Sequence, residues 1–213
     1  MLIKELSLAK TRVRTVPETV TLEEALELLE EYGYRCVPIV DASGKLYRGN
    51  IYRMHIYKHK SEGKDMSLPV THLLKNATKY VHTYSSFYSI FFMIKDLPYI
   101  TVLDENDHFY GILTHSAIIN LLEQSWKVNS GSYVVTIAAA GEKGDIAAIT
   151  RIVNRYSDIM SLITLDGDTP IKRAIVTLDP DLSKEQLEKM SVQLDKRGYR
   201  VVQVEDLRQH SAN

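Results

Sequence analysis

Three cations stand at alternate positions near the start of the chain: Lys10, Arg12 and Arg14. Alternate side chains of an extended strand share a face, so the spacing predicts a row of positive groups able to receive phosphate. The plainer reading is an edge strand on which Lys and Arg discourage unwanted pairing. Tyr34 and Arg35 precede the apolar run CVPIV, and Tyr34 offers a ring for stacking, or simply for packing between helix and strand. Gly141, Gly144 and Asp145 form a loop ahead of an apolar helical pattern. A helix N-terminus there would accept a carboxylate, although Asp145 also reads as an ordinary cap.

No catalytic template is matched. His55 and His59 are spaced for one helix face, but a metal would need a third ligand, and two exposed histidines are the plainer reading. There is no Gly-x-Ser-x-Gly turn, no phosphate loop and no locally supported Cys–His couple. Cys36 is the single cysteine, lies in an apolar run and reads as a small core residue. The expectation is a protein that is not an enzyme, with no cofactor and no metal site.

These residues must be positioned by a fold, and the chain repeats itself. From Thr15 to His59 the pattern is strand, helix, strand, turn, strand, helix. Thr21 with Glu24 is a capping box, Leu22, Ala25, Leu26, Leu28 and Leu29 recur at helical spacing, and Gly33 ends the helix. The pattern returns near Ala77, with Val16, Asp41 and Gly49 corresponding to Val81, Asp104 and Gly111. The stretch KVNSGS then reads as a linker. Beyond it the order is β-α-β-β-α-β, a ferredoxin-like unit, with Ser183 capping and Gly198 ending its second helix. The expected divisions are residues 8–60 and 68–126 for the repeats, 127–132 for the linker and 132–207 for the last unit.

Composition sets the frame. The 213 residues are 45% hydrophobic and 25% charged, enough for a real core. A net charge of -1 gives no overall pull toward nucleic acid or anionic membrane. One cysteine excludes an intrachain disulfide, no apolar run is long enough to span a bilayer, and basic residues interrupt the N-terminal apolar stretch. A reduced, cytoplasmic setting is expected.

The marks TVPETVTLEEAL, YGYRCVPIVD and GNIY, answered by LPYITVLDENDHFYGILTHSAII, resemble a tandem pair of CBS domains, a Bateman module. Residues 132–207, with GEKGDIAAI at the first turn, resemble an ACT domain. The series is similar to Gram-positive cyclic di-AMP-binding CBS–ACT proteins and to acetoin-utilisation accessory proteins. The resemblance implies an α/β fold, a CBS pair followed by a ferredoxin-like ACT domain. It implies an adenine nucleotide in the cleft of the pair, a homodimer and an unidentified target protein that reads the signal.

The same resemblance places Tyr34, Arg35, Cys36 and Pro38 beside the adenine, with Lys10, Arg12 and Arg14 near the phosphates. It puts Thr114, His115 and Ser116 at the end of the matching strand, and Gly141, Gly144 and Asp145 at an effector loop for an amino acid. The family pattern has a ribose-binding Asp where this chain has His55 and Ala117. That loss puts AMP or ATP binding in the usual manner in doubt and leans toward cyclic di-AMP, whose 3′ hydroxyls are tied into phosphodiesters. The alternative is a site that no longer binds. Two other readings stay open: an amino-acid sensor with the pair as scaffold, and an interaction module whose cleft is filled by Tyr52, Tyr84 and Tyr99.

Overall fold

The computed structural model describes residues 3–127, 129–166 and 172–209. Val128 of the expected linker and residues 167–171 of the expected last unit lie outside the described residues. Contacts divide the chain into two compact units, Met1–Ile119 and Asn120–Asn213.

The first unit begins with α1 (Ile3–Leu6), β1 (Leu8–Ala9) and a 3₁₀ turn over Lys10–Arg12. The first repeat follows as β2 (Val16–Pro17), α2 (Leu22–Glu31), β3 (Cys36–Val40), β4 (Tyr47–Tyr52) and α3 (Arg53–Ser61). The second is β5 (Tyr80–His82), α4 (Ser89–Ile94), β6 (Tyr99–Leu103), β7 (Phe109–Thr114) and α5 (His115–Trp126).

Local chemistry explains these elements. The Thr21 hydroxyl accepts the Glu24 N–H while the Glu24 carboxylate accepts the Thr21 N–H, satisfying donors that a helix start leaves bare. Leu22, Ala25, Leu26 and Leu29 then bury one face of α2, and Gly33 at φ +66° ends it in a conformation that glycine adopts freely. Asp41 and Asp104 correspond because each caps its own turn. The Asp41 carboxylate accepts the Lys45 and Leu46 N–H groups, both at 2.8 Å, and Asp104 accepts those of Asn106 and His108.

The repeats build matching sheets. In one, β2 pairs parallel with β3, and β3 antiparallel with β4; in the other, β5, β6 and β7 repeat that pattern. The β3 and β6 strands are buried along their whole length. The second sheet gains a fourth strand from outside its own repeat: β1 pairs with β7, Leu8 opposite Ile112 and Ala9 opposite Gly111. An isolated bridge between Asn50 and Lys75 is the counterpart in the first sheet. The exchange ties each repeat to the chain that precedes the other.

Gly111 permits this exchange, because a Cβ there would run into the Leu8 carbonyl oxygen. Gly111→Ala should therefore destabilise the unit by about 1–3 kcal/mol, the usual cost of overpacking a tight contact. Urea denaturation measures it, and an unchanged midpoint would show that β1 docks loosely. Between the sheets Cys36, Val40, Tyr99, Phe109 and Ile112 form a shared core, with Leu8, Val13, Tyr47 and Tyr52 packed against it.

The second unit is β8 (Tyr133–Ala139), α6 (Asp145–Val153), β9 (Ile159–Asp166), β10 (Lys172–Leu178), α7 (Lys184–Asp195) and β11 (Arg200–Asp206). Its sheet has the order β11-β8-β10-β9 with every neighbour antiparallel, the ferredoxin-like arrangement expected from the element order. Ile149 and Val153 of α6 and Leu187, Met190 and Leu194 of α7 join Val135, Ile137 and Val176 in its core. Ser183 caps α7 in a box with Gln186. Among the described residues no helix is long and apolar enough to cross a membrane.

Candidate functional site

A cleft of about 240 Å³ opens in the first unit, where the starts of β3 and β6 and the end of β7 meet the segment after β1. Leu8, Val13, Val37 and Ile112 give it an apolar surface, continued by Cys36, Pro38 and the Tyr99 ring. Arg12, Arg14, Tyr34 and Thr114 complete the lining. The mouth is ordered by ring contacts. The Arg14 guanidinium lies 4.8 Å from the centre of the Tyr32 ring, and Tyr32 stacks on Tyr34 at 5.8 Å. A cation held over an aromatic face is aimed before any ligand arrives. Thr114 uses its oxygen to accept the Ala117 N–H at the start of α5, which leaves the hydroxyl hydrogen to donate.

Arg12, Arg14, Tyr34, Cys36, Pro38 and Thr114, all expected from the sequence, surround this cleft; Lys10, Arg35, His115 and Ser116 are not among the residues that line it. The expected alternation of three cations along one strand is corrected: β1 ends at Ala9, and the 3₁₀ turn over Lys10–Arg12 leaves Lys10 exposed and off the lining. Arg35 is exposed, and its carbonyl accepts the Arg53 N–H. His115 is held against its own repeat, with Nδ1 3.1 Å from the Pro98 carbonyl oxygen, and Ser116 is exposed in the first turn of α5. Leu8, Val13, Val37, Tyr99 and Ile112 line the cleft without having been singled out as ligand contacts. The pairing of β1 with β7 brings Leu8 and Ile112 there, and no local pattern signals it.

The internal symmetry implies a twin cleft, and its residues are bonded to one another. Tyr52 stands in the place of Thr114, Asn50 in that of Ile112 and Tyr99 in that of Cys36. The Tyr99 hydroxyl donates to Asn50 Oδ1 at 2.9 Å and lies 3.5 Å from Cys36 Sγ. Asn76 Nδ2 donates to the Tyr52 hydroxyl, and the Tyr47 hydroxyl donates to the Asn76 carbonyl. Tyr99 is 6% and Asn50 1% exposed, so this end of the network is buried, while Tyr47, Tyr52 and Asn76 are half-buried. Tyr52 and Tyr99, two of the three tyrosines expected to fill the cleft, are bonded into this network. Tyr84 is not: it is 62% exposed and stacks on His82.

Burial pushes the Cys36 thiol up to about 11, which keeps it protonated at neutral pH and unsuited to nucleophilic attack. The expected pair of exposed histidines is corrected too. His59 is buried, with Nε2 3.0 Å from the Asp65 carbonyl oxygen and its ring against His72, and His55 is half-buried. Among the described residues no three His, Cys, Asp or Glu side chains come together as a metal would require.

In the second unit Gly144, at φ +102°, is the residue before α6, and Asp145 is the first helical residue rather than the cap. Its carboxylate accepts the Gly141 and Glu142 N–H groups at 2.9 and 2.8 Å, and the Tyr199 hydroxyl at 3.2 Å. The loop donors that would take an incoming carboxylate already hold one.

Residues 3–62 match the model of the CBS domain family. No curated protein matches the chain in sequence. Among solved structures, a CBS domain-containing protein of unknown function from Bacillus anthracis is 28% identical with a TM-score of 0.52, covering 58% of this chain and 93% of its own. CbpB in complex with c-di-AMP is 20% identical with a TM-score of 0.53, covering 58% of this chain and 85% of its own. CBSX2 in complex with AMP is 17% identical with a TM-score of 0.51, covering 58% and 96%. Residues 3–62 thus carry the match to the CBS domain family, and the first unit shares its fold with solved CBS-domain proteins.

Proposed function

We propose that this protein is a non-catalytic sensor whose CBS pair binds one adenine nucleotide per chain, with cyclic di-AMP as the favoured ligand and AMP or ATP as the alternatives. The observation that carries the reading is an apolar cleft with Arg12, Arg14 and Tyr34 in its lining and no carboxylate there. Apolar walls with a few placed polar groups are the usual form of a small-molecule site. The volume of about 240 Å³ lies below the range of about 300–1,000 Å³ common for drug-sized ligands, so one nucleoside fills it. A cyclic dinucleotide then inserts one adenine and leaves its phosphates at the mouth, where the two guanidiniums stand. The bonded twin positions support a ratio of one ligand per chain. The likeness to CbpB with c-di-AMP and to CBSX2 with AMP is consistent with this class of ligand.

Calorimetry with cyclic di-AMP, AMP, ATP and S-adenosylmethionine tests the reading. Binding tighter than about 100 µM, roughly −5.5 kcal/mol, is expected for at least one adenine nucleotide. If none reaches that affinity, the sensing role of the cleft is lost.

The signal passes through a homodimer to a target protein. The two repeats present different outer faces, which supports pairing through one of them. In the first repeat α2 shows Glu23, Glu27 and Glu30, whereas the corresponding part of the second shows Tyr88 and Phe92, 75% and 87% exposed. An uncharged aromatic patch on every copy is self-complementary about a twofold axis. Replacing Tyr88 and Phe92 together by Glu is expected to convert a dimer into a monomer in light scattering. A variant that stays dimeric would place the contact elsewhere.

A further inference from the structure

The second unit has a concavity of its own, about 260 Å³, between α6 and the end of α7. Ala148 and Ile152 form its small and apolar part, and Tyr199 is also in the lining. The remaining lining is Arg151, Arg155, Arg197 and the Gln193 amide, with no carboxylate among them. Arg151 lies in the last turn of α6, Arg155 just after its end and Arg197 just beyond α7, so three arginines from two parts of the fold line one hollow. None of the three takes part in an ion pair among the described residues, whereas Lys189, Lys172 and Arg208 in the same unit do. Asp145, the first residue of α6, has its carboxylate committed to the Gly141 and Glu142 N–H groups and the Tyr199 hydroxyl.

Like charges gathered in a hollow repel one another, and an anion bound between them removes the cost. A single carboxylate would balance one guanidinium of the three. A chain of phosphates carries the matching charge and offers oxygens to several planar forks at once. We propose that this furrow is a second binding site, for the pyrophosphate group of a small phosphorylated ligand. It is independent of the cleft in the CBS pair and does not rest on the nucleotide reading of that cleft.

The test is calorimetry on the full chain with inorganic pyrophosphate, orthophosphate and ADP. Saturable pyrophosphate binding tighter than about 1 mM is expected, weakened about tenfold or more in R151Q/R197Q and unchanged in R12Q/R14Q. Orthophosphate should bind more weakly than pyrophosphate. If ADP and pyrophosphate bind equally, the phosphates alone are read; if ADP binds about tenfold tighter and R151Q/R197Q abolishes that gain, the nucleoside is held at this site as well. Both outcomes support the site. The substituted arginines are exposed, so circular dichroism should show the variant folded. Absence of saturable binding to the unaltered protein, or binding that R151Q/R197Q leaves intact, would overturn the proposal.

Discussion

Replacing Arg12 and Arg14 together by Gln is expected to weaken cyclic di-AMP binding by about 100-fold, because hydrogen bonds to a charged group contribute about 1.5–3 kcal/mol each. The two side chains are exposed at the cleft, so the substitutions leave the core untouched and the fold should persist. Tyr34→Ala should cost about tenfold or more by a different route, since stacking a base on an aromatic ring contributes about 1–3 kcal/mol. The two effects separate under salt. Phosphate contacts are screened as ionic strength rises and stacking is not, so the unaltered protein and Tyr34→Ala should lose affinity with salt while the arginine variant loses little. Tyr32 adds a further check: it holds Arg14 by ring contact without lining the cleft, so Tyr32→Leu should weaken binding less than Arg14→Gln does. Affinity that R12Q/R14Q leaves unchanged would mean that no phosphate reaches this rim.

The contrast between Arg12 and Lys10 shows how far the sequence could be read. Both were expected on one strand face, yet one lines the cleft and the other does not. The alternation argument assumes a strand of several residues, whereas β1 has two and gives way to a 3₁₀ turn. Its position depends on pairing with β7, about a hundred residues away, which a local pattern cannot contain. Capping signals were legible because they act within one turn of helix: Thr21 with Glu24, and Ser183 with Gln186. The repeat was legible for a related reason, since Asp41 and Asp104 each serve a turn a few residues long. The settings of His115 and His59 are not legible in the sequence, because their partners, the carbonyls of Pro98 and Asp65, are backbone atoms that residue types do not reveal. The furrow of Arg151, Arg155 and Arg197 is not legible in the sequence for the same reason as β1: its two sides come from segments far apart in the chain, at the ends of α6 and α7.

Tyr99 belongs to both clefts, and its ring and hydroxyl should prove separable. The ring forms part of the open cleft while the hydroxyl is bonded within the twin, to Asn50 and beside Cys36. Tyr99→Ala removes both and should cost about 3–5 kcal/mol of stability, the range for deleting a buried aromatic side chain. Tyr99→Phe keeps the ring, strips the Asn50 oxygen of its donor and should cost about 1–3 kcal/mol, with nucleotide affinity little changed. Adding Asn50→Leu to Tyr99→Phe should recover part of that loss, because the orphaned acceptor goes with it. The network also has a pH signature. Burial raises the Cys36 thiol to about 11 and the Tyr52 phenol to about 12, and lifts Tyr99 well above its ordinary value. These groups hold their protons in the folded chain after an unfolded chain has released them. Stability is therefore full below their unfolded values and falls as pH rises through about 9 to 12. Urea midpoints across that window should drop steeply in the unaltered protein and less steeply in Tyr99→Phe, which has one raised phenol fewer. Equal slopes would mean that the Tyr99 hydroxyl meets water, and the twin would then have to be counted as a second open site.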